Sequence, residues 1–204
     1  IYIDTENAIN RDFLKVIGVD LNELILIEMN VLEEIYQTIE NIILNIRKQD
    51  KKVPVTILLD SMAGTTTESE SESDFGRDGF ATGKALINGK AMRKLNGLVG
   101  KEQVTLVITN QLREMPGVMI GDKETTPGGK AVGYHSSVRV RFYKATKIKD
   151  KKTKEVIGLH IQAKTLKNRM APPYRGIDFI LYFTSGIDNY TSWLLKLKEY
   201  GCIS

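Results

Sequence analysis

The apolar positions of this chain fall into short runs that stop abruptly at polar residues, alternating with stretches of helical period. Ile1-Tyr2-Ile3 closes on Asp4-Thr5-Glu6, which predicts a strand ending in polar side chains. Residues 11–17 read as a short helix stopped by Gly18, and residues 24–29 give a second apolar run. Val31, Leu32, Ile35, Ile39, Ile42, Ile43 and Ile46 then recur at helical spacing, with Glu33, Glu34, Glu40 and Lys48 outside the stripe, so a long amphipathic helix is expected up to Lys51-Lys52.

Residues 55–59 form a continuous aliphatic strand closed by Asp60-Ser61. The run "TESESESD", ending at Asp74, reads as a solvated loop, and a helix follows over about 82–99. The strand around Leu106 ends on Asn110-Gln111 and feeds a stretch of Met, Gly, Thr and Pro with no period, too long for an idle connection. Residues 138–143, 159–166 and 177–183 alternate as strands, the first two separated by the lysine-rich, turn-forming 147–154. Trp193, Leu194, Leu195 and Leu197 begin a terminal helix with a core or domain-contact role. Early strand–helix alternation with late consecutive strands predicts an α/β fold: a mainly parallel twisted sheet flanked by helices, with an antiparallel extension.

Composition narrows the class. With 204 residues, 42% hydrophobic and 26% charged, the chain can bury one sizeable core. The net charge of +4 permits nucleic-acid binding without establishing it. The lone Cys202 excludes an intrachain disulfide framework and fits a reducing cytoplasm. No apolar run approaches a membrane helix, so no membrane role is expected. His135 and His160 have neither metal-ligand nor triad spacing and read as structural.

Ligands of open α/β sheets bind beyond the carboxyl ends of the strands. Three predicted strands end there in chemistry: Asp4 with Glu6, Asp60 with Ser61, and Asn110 with Gln111. An aliphatic run closing in Asp, as in "VTILLDS", suits a Mg²⁺-nucleotide enzyme, because the carboxylate orients the ion's water shell. A Glu one strand away suits a base that orients attacking water, and a Gln can report on a terminal phosphate. Taken singly, Glu6 or Gln111 reads equally as a helix cap or a loop hydrogen bond.

The segments "IDTENAI", "LLDSMAG", "AMRKLNGL", "ITNQLR", "GVMIGDKETTPGGKA", "SSVRVR" and "KNRMAPPYR" stand in the order and approximate spacing of the RecA family of DNA strand-exchange recombinases. The chain resembles that family, its bacteriophage members especially, from residue 1 to about 187, and residues 188–204 look like the start of a C-terminal helical segment. The resemblance implies an ATP- and Mg²⁺-dependent core that forms a helical filament on single-stranded DNA and pairs it with homologous duplex DNA in the cytoplasm, host cytoplasm if phage-encoded. By position it makes Glu6 the group that activates the hydrolytic water, Asp60 the aspartate held near Mg²⁺ through water with Ser61 beside it, and Gln111 the sensor of the terminal phosphate. Phe13 falls where the family stacks an aromatic on adenine, and Asn10 where it usually has Asp. Lys167 and Arg169 match two lysines that reach the neighbouring subunit's nucleotide; Arg at 169 keeps the charge and changes the geometry.

The same resemblance assigns two DNA-facing loops, at about 66–83 and 113–129. In the second, Arg113 meets a phosphate, Gly128 and Gly129 allow close backbone approach, and Met119 and Ile120 wedge between bases. Arg93 is a matched phosphate contact whose plain alternative is a solvated helix arginine. Lys144 and Lys164 match a second, weaker site for the incoming duplex.

No G-x-x-x-x-G-K-[ST] sequence occurs, so the phosphate cradle that the family carries is not in these residues. Either the sequence is a piece of a longer protein, or the chain has lost ATP binding. The first is favoured, since Glu6, Asp60 and Gln111 have little purpose without a nucleotide, and the piece alone is expected to hydrolyse little ATP. Two rival functions remain: a non-hydrolysing DNA-binding paralogue and a hexameric helicase-type motor, the latter disfavoured by the long second loop.

Overall fold

The computed structural model describes residues 1–73, 81–114 and 124–203. In chain order its elements are β1 (Tyr2–Asp4), α1 (Arg11–Val16), β2 (Leu26–Glu28), α2 (Leu32–Gln49), β3 (Val55–Asp60), a 3-10 turn (Met62–Gly64), α3 (Glu68–Ser71), α4 (Ala81–Lys101) and β4 (Val104–Ile108). There follow β5 (Arg113–Glu114), β6 (Glu124–Thr125), α5 (Ala131–His135), β7 (Val138–Lys149), β8 (Val156–Asn168), β9 (Gly176–Tyr182), β10 (Gly186–Asp188) and α6 (Asn189–Glu199). They fall into two compact units, Ile1–Ile9 with Asn22–His135, and Asn10–Leu21 with Ser136–Ser204.

The first unit is built on a parallel sheet of order β2-β1-β3-β4. Strand β3 alternates, burying Val55, Ile57 and Leu59 on one face. Against that face lies the apolar stripe of α2, where Leu32, Ile35, Ile39 and Ile43 are all fully buried, joined by Met92 and Leu95 of α4. The spacing of those α2 residues is the helical period seen in the sequence, and each buried aliphatic side chain contributes roughly 1.5–3 kcal/mol. Because β1, β3 and β4 are parallel neighbours, in register at Asp4 and Asp60 and at Leu59 and Ile108, their carboxyl ends open on one edge.

The glutamate- and serine-rich run differs from the expected loop. Thr67 caps helix α3, its hydroxyl accepting from the Glu70 amide while the Glu70 carboxylate accepts from the Thr67 amide. This capping box satisfies two end donors and gives a polar sequence a helical turn.

The second unit is an antiparallel sheet of order β10-β9-β8-β7 with α6 against β9. Asp188 caps α6 by accepting from the Thr191 amide at 2.9 Å. The buried Ser192 hydroxyl donates to the Asp188 carbonyl at 2.5 Å and accepts from the Ile180 amide at 3.2 Å, fixing the helix to the sheet. Phe142 and Phe179 meet edge to face at 6.3 Å. Trp193 is 62% exposed, so the expected core role does not hold within this unit. Strands β7 and β8 run farther than expected, pairing out to Lys149 and Val156. Cross-strand hydrogen bonding overrides the weak strand preference of lysine there.

Thus the α/β class read from the sequence forms, with a helix-flanked parallel sheet in one unit and an antiparallel sheet in the other. No helix among the described residues is long and apolar enough to cross a membrane.

Candidate functional site

At the carboxyl edge of the parallel sheet the three strand ends are joined by side chains. Ser61 Oγ donates to Glu6 Oε1 at 2.6 Å. Thr5 and Ser61 lock the two strand ends together, the Thr5 hydroxyl donating to the Ser61 carbonyl at 2.8 Å and accepting from the Ser61 amide at 2.9 Å. Asp60 accepts from the Thr109 hydroxyl at 2.6 Å on Oδ1 and from the Tyr2 hydroxyl on Oδ2. Burial, first, and then the Asp60 hydrogen bond and nearby carboxylates raise the pKa of Tyr2, so its hydroxyl stays a donor.

Asp4, only 4% exposed, organises the turn that carries Glu6. Its carboxylate accepts from the backbone amides of Glu6, Ala8 and Ile9, each at 3.0 Å. Gly64 leaves the space in which Glu6 lies: a Cβ there would sit 2.6 Å from both Glu6 Cγ and Thr5 Oγ1. Glu6, Asp60 and Ser61 are therefore one oxygen-rich group on a rigid edge. Such a donor set fits a hard cation such as Mg²⁺ held through its water shell, and a carboxylate able to orient a water. Among the described residues no cluster of three or more His, Cys, Asp or Glu could hold a metal by itself.

Gln111 follows β4 on the same edge and is exposed, its backbone N–H donating to Asn110 Oδ1 at 2.9 Å. Asn110 also reaches the far root of the long loop, Nδ2 donating to the Pro127 carbonyl at 3.0 Å. One residue on, the Gly128 carbonyl accepts from Asn88 Nδ2 at 2.7 Å. Asn88 is fully buried on α4, and its Oδ1 accepts from the Tyr36 hydroxyl at 2.5 Å. Gly128 has φ +85°, and a Cβ there would lie 2.4 Å from Asn88 Nδ2, so this close approach requires glycine; Gly129 follows at φ +79°. Sequence reasoning missed Asn88, because a mid-helix Asn carries no signal of the loop it holds.

At the near root, Arg113 is exposed on β5, which pairs with β6 through Arg113 and Thr125. Arg93 is exposed on α4. Met119 and Ile120 lie outside the described residues.

The second unit holds the remaining expected residues. Asn10 caps α1, its Oδ1 accepting from the amides of Asp12 and Phe13 at 2.9 and 3.0 Å. Phe13, on the first turn of that helix, is 43% exposed. Lys167 and Arg169 lie at the end of β8 and just beyond, and strand register sets Arg139 of β7 opposite Lys167. Burial of the ammonium first, and then the charges of Arg169 and Arg139, lower the pKa of Lys167. Arg139 was not singled out from the sequence, since only strand pairing places it in this group. Lys144 belongs to β7, and Lys164 is exposed on β8 opposite Arg141.

A family model described as the RecA N-terminal domain matches residues 1–188. Protein RecA of Lactobacillus delbrueckii subsp. bulgaricus is 33% identical over 186 residues, covering 91% of this chain and 54% of that protein. Protein RecA of Borrelia hermsii is 31% identical over 202 residues, covering 99% of this chain and 55% of that protein. Protein RecA of Lactobacillus johnsonii is 34% identical over 186 residues, 91% of this chain and 49% of that protein. The chain spans about half the length of the curated relatives it matches.

Proposed function

The chain belongs to the RecA family, and from that premise we propose that it is the core of an ATP-dependent DNA recombinase that coats single-stranded DNA as a filament and exchanges it with homologous duplex. The observation that carries the reading is the joined strand edge, where Ser61 holds Glu6 beside the Asp60 strand end. Glu6 orients the water that attacks the terminal phosphate, and Asp60 orients the shell of Mg²⁺. Gln111 reads the phosphate, and Asn110 carries its position to the root of the DNA-facing loop through Pro127. In the second unit Phe13 offers a ring face to the base, while Lys167, Arg169 and Arg139 offer positive charge to the nucleotide of a neighbouring subunit.

The test is ATP hydrolysis stimulated by single-stranded DNA in the intact protein. Glu6→Gln keeps the Ser61 hydrogen bond and removes the base, so hydrolysis falls while nucleotide-dependent DNA binding persists. Undiminished hydrolysis in that variant would overturn the role of Glu6.

A further inference from the structure

Three strands converge on the Asp60 carboxylate. Val55, Ile57 and Leu59 of β3 are buried, so alternation puts Asp60 on the other face of the sheet. On one side stands Tyr2 of β1, paired with Leu58 two residues before Asp60, and its hydroxyl donates to Asp60 Oδ2. On the other side, just beyond β4, the Thr109 hydroxyl donates to Asp60 Oδ1 at 2.6 Å. The Thr109 backbone is itself fixed, its N–H donating to the Leu59 carbonyl at 3.0 Å and its carbonyl accepting from the Met62 N–H at 2.9 Å. Each oxygen of the carboxylate is therefore engaged by a hydroxyl from a different neighbouring strand.

Burial does not demand these bonds. Asp60 and Tyr2 are half-buried and Thr109 is exposed, so water has access to serve all three. What the two hydroxyls add is a fixed orientation, because rotation about the Cβ–Cγ bond of Asp60 breaks both contacts. A carboxylate has about four lone-pair sites, so both oxygens keep the capacity to accept from water.

We propose that Tyr2 and Thr109 are positioning residues that set which divalent cation Asp60 serves: pinned by them, the carboxylate accepts from the waters of a hydrated Mg²⁺ and does not turn to capture a larger cation directly. Mg²⁺ dehydrates reluctantly and keeps several waters, whereas Ca²⁺ takes carboxylate oxygens directly, one or both at a time. Capture by both oxygens requires the carboxylate to turn, and turning gives up the hydroxyl bonds. Partners behind a metal-facing group orient it, and their loss typically costs roughly 10–100-fold in metal affinity. The inference rests on the nucleotide reading of Asp60 and adds two residues that neither strand pattern nor motif order singled out.

The experiment measures ATP retention by the intact protein during titration with Mg²⁺ and, separately, with Ca²⁺, and takes the ratio of the two half-saturating concentrations. The protein is compared with Tyr2→Phe, Thr109→Val and the double variant, which keep the side-chain shapes and remove the hydroxyls. In the double variant the ratio is expected to shift toward Ca²⁺ about tenfold or more. Each single variant, with one hydroxyl still on Asp60, shifts it in the same direction by less, so the comparison does not depend on the double variant folding. Thr109→Ser, which keeps the hydroxyl, holds the ratio of the unaltered protein. Urea denaturation without metal supplies the structural comparison: lost stability at an unchanged ratio marks a purely structural pair and overturns the proposal. An unchanged ratio in variants that still bind ATP likewise overturns it and leaves the recombinase reading standing. If the unaltered protein binds no ATP with either ion, both readings fall.

Discussion

The Asn88 side chain donates to the Gly128 carbonyl at 2.7 Å while accepting from the Tyr36 hydroxyl at 2.5 Å, so a fully buried amide joins two helices of the core to the root of the long loop. Asn88→Ala leaves the buried Tyr36 hydroxyl without its acceptor and the half-buried Gly128 carbonyl without its donor. Unpaired buried polar groups cost about 1–3 kcal/mol each, and chemical denaturation is expected to show a loss in that range. Gly128→Ala should be at least as damaging, since it meets both a left-handed backbone and a side chain 2.4 Å away.

Tyr36 links the same relay to pH. Burial raises its pKa, so the folded protein keeps the phenolic proton at pH values where the unfolded chain, near about 10, has released it. The folded state then binds more protons, and stability falls as pH rises above that unfolded value. Tyr36→Phe is expected to lower stability at neutral pH, because Asn88 loses its donor, yet to soften the decline at alkaline pH. Denaturation midpoints across pH 7 to about 11 test both signs, and an equally steep decline in the variant would count against the assignment.

Asp4, at the end of β1, places Glu6 through the backbone of the turn that follows. Its carboxylate collects three backbone amides of the turn. Hydrogen bonds to a charged group are worth about 1.5–3 kcal/mol, so Asp4→Ala is expected to reduce both stability and hydrolysis. The decisive comparison is Asp4→Asn, which keeps an acceptor and should recover stability further than Asp4→Ala; equal losses in the two would remove the positioning role.

Ile39 tests the core that supports the edge. It is fully buried between α2 and the sheet, and truncation of such a residue to alanine costs about 2–5 kcal/mol. Urea denaturation of Ile39→Ala should show that loss, whereas Leu44→Ala, at a position 40% exposed on the same helix, should lose far less.

Arg139 tests the positive group of the second unit. If Arg139, Lys167 and Arg169 act on one nucleotide, Arg139→Gln should weaken ATP-dependent assembly about tenfold or more, the scale of one charge-assisted hydrogen bond. Sedimentation with and without nucleotide reads this directly. Equal loss in both conditions would mark a structural residue.

Local pattern made some of this legible and not the rest. The stripe of α2 and the polar ends of β1, β3 and β4 were readable because helical period and strand termination are properties of neighbouring residues. The Thr67 and Glu70 capping signal was also present, but the glutamate repeat around it reads as solvated chain. Trp193 shows the reverse case: a large apolar residue on a helix suggests burial, and the antiparallel unit leaves it exposed.

By itself, then, the sequence determined the class of fold, the order of its main strands and long helices and the candidate residues Glu6, Asp60 and Gln111, all read from period, strand endings and motif order. Tertiary structure alone decided that Ser61 binds Glu6, that Asn88 holds Gly128 and that Arg139 stands opposite Lys167. Those relationships depend on strand register and on packing between residues far apart in the chain, where a shift of one position changes every partner.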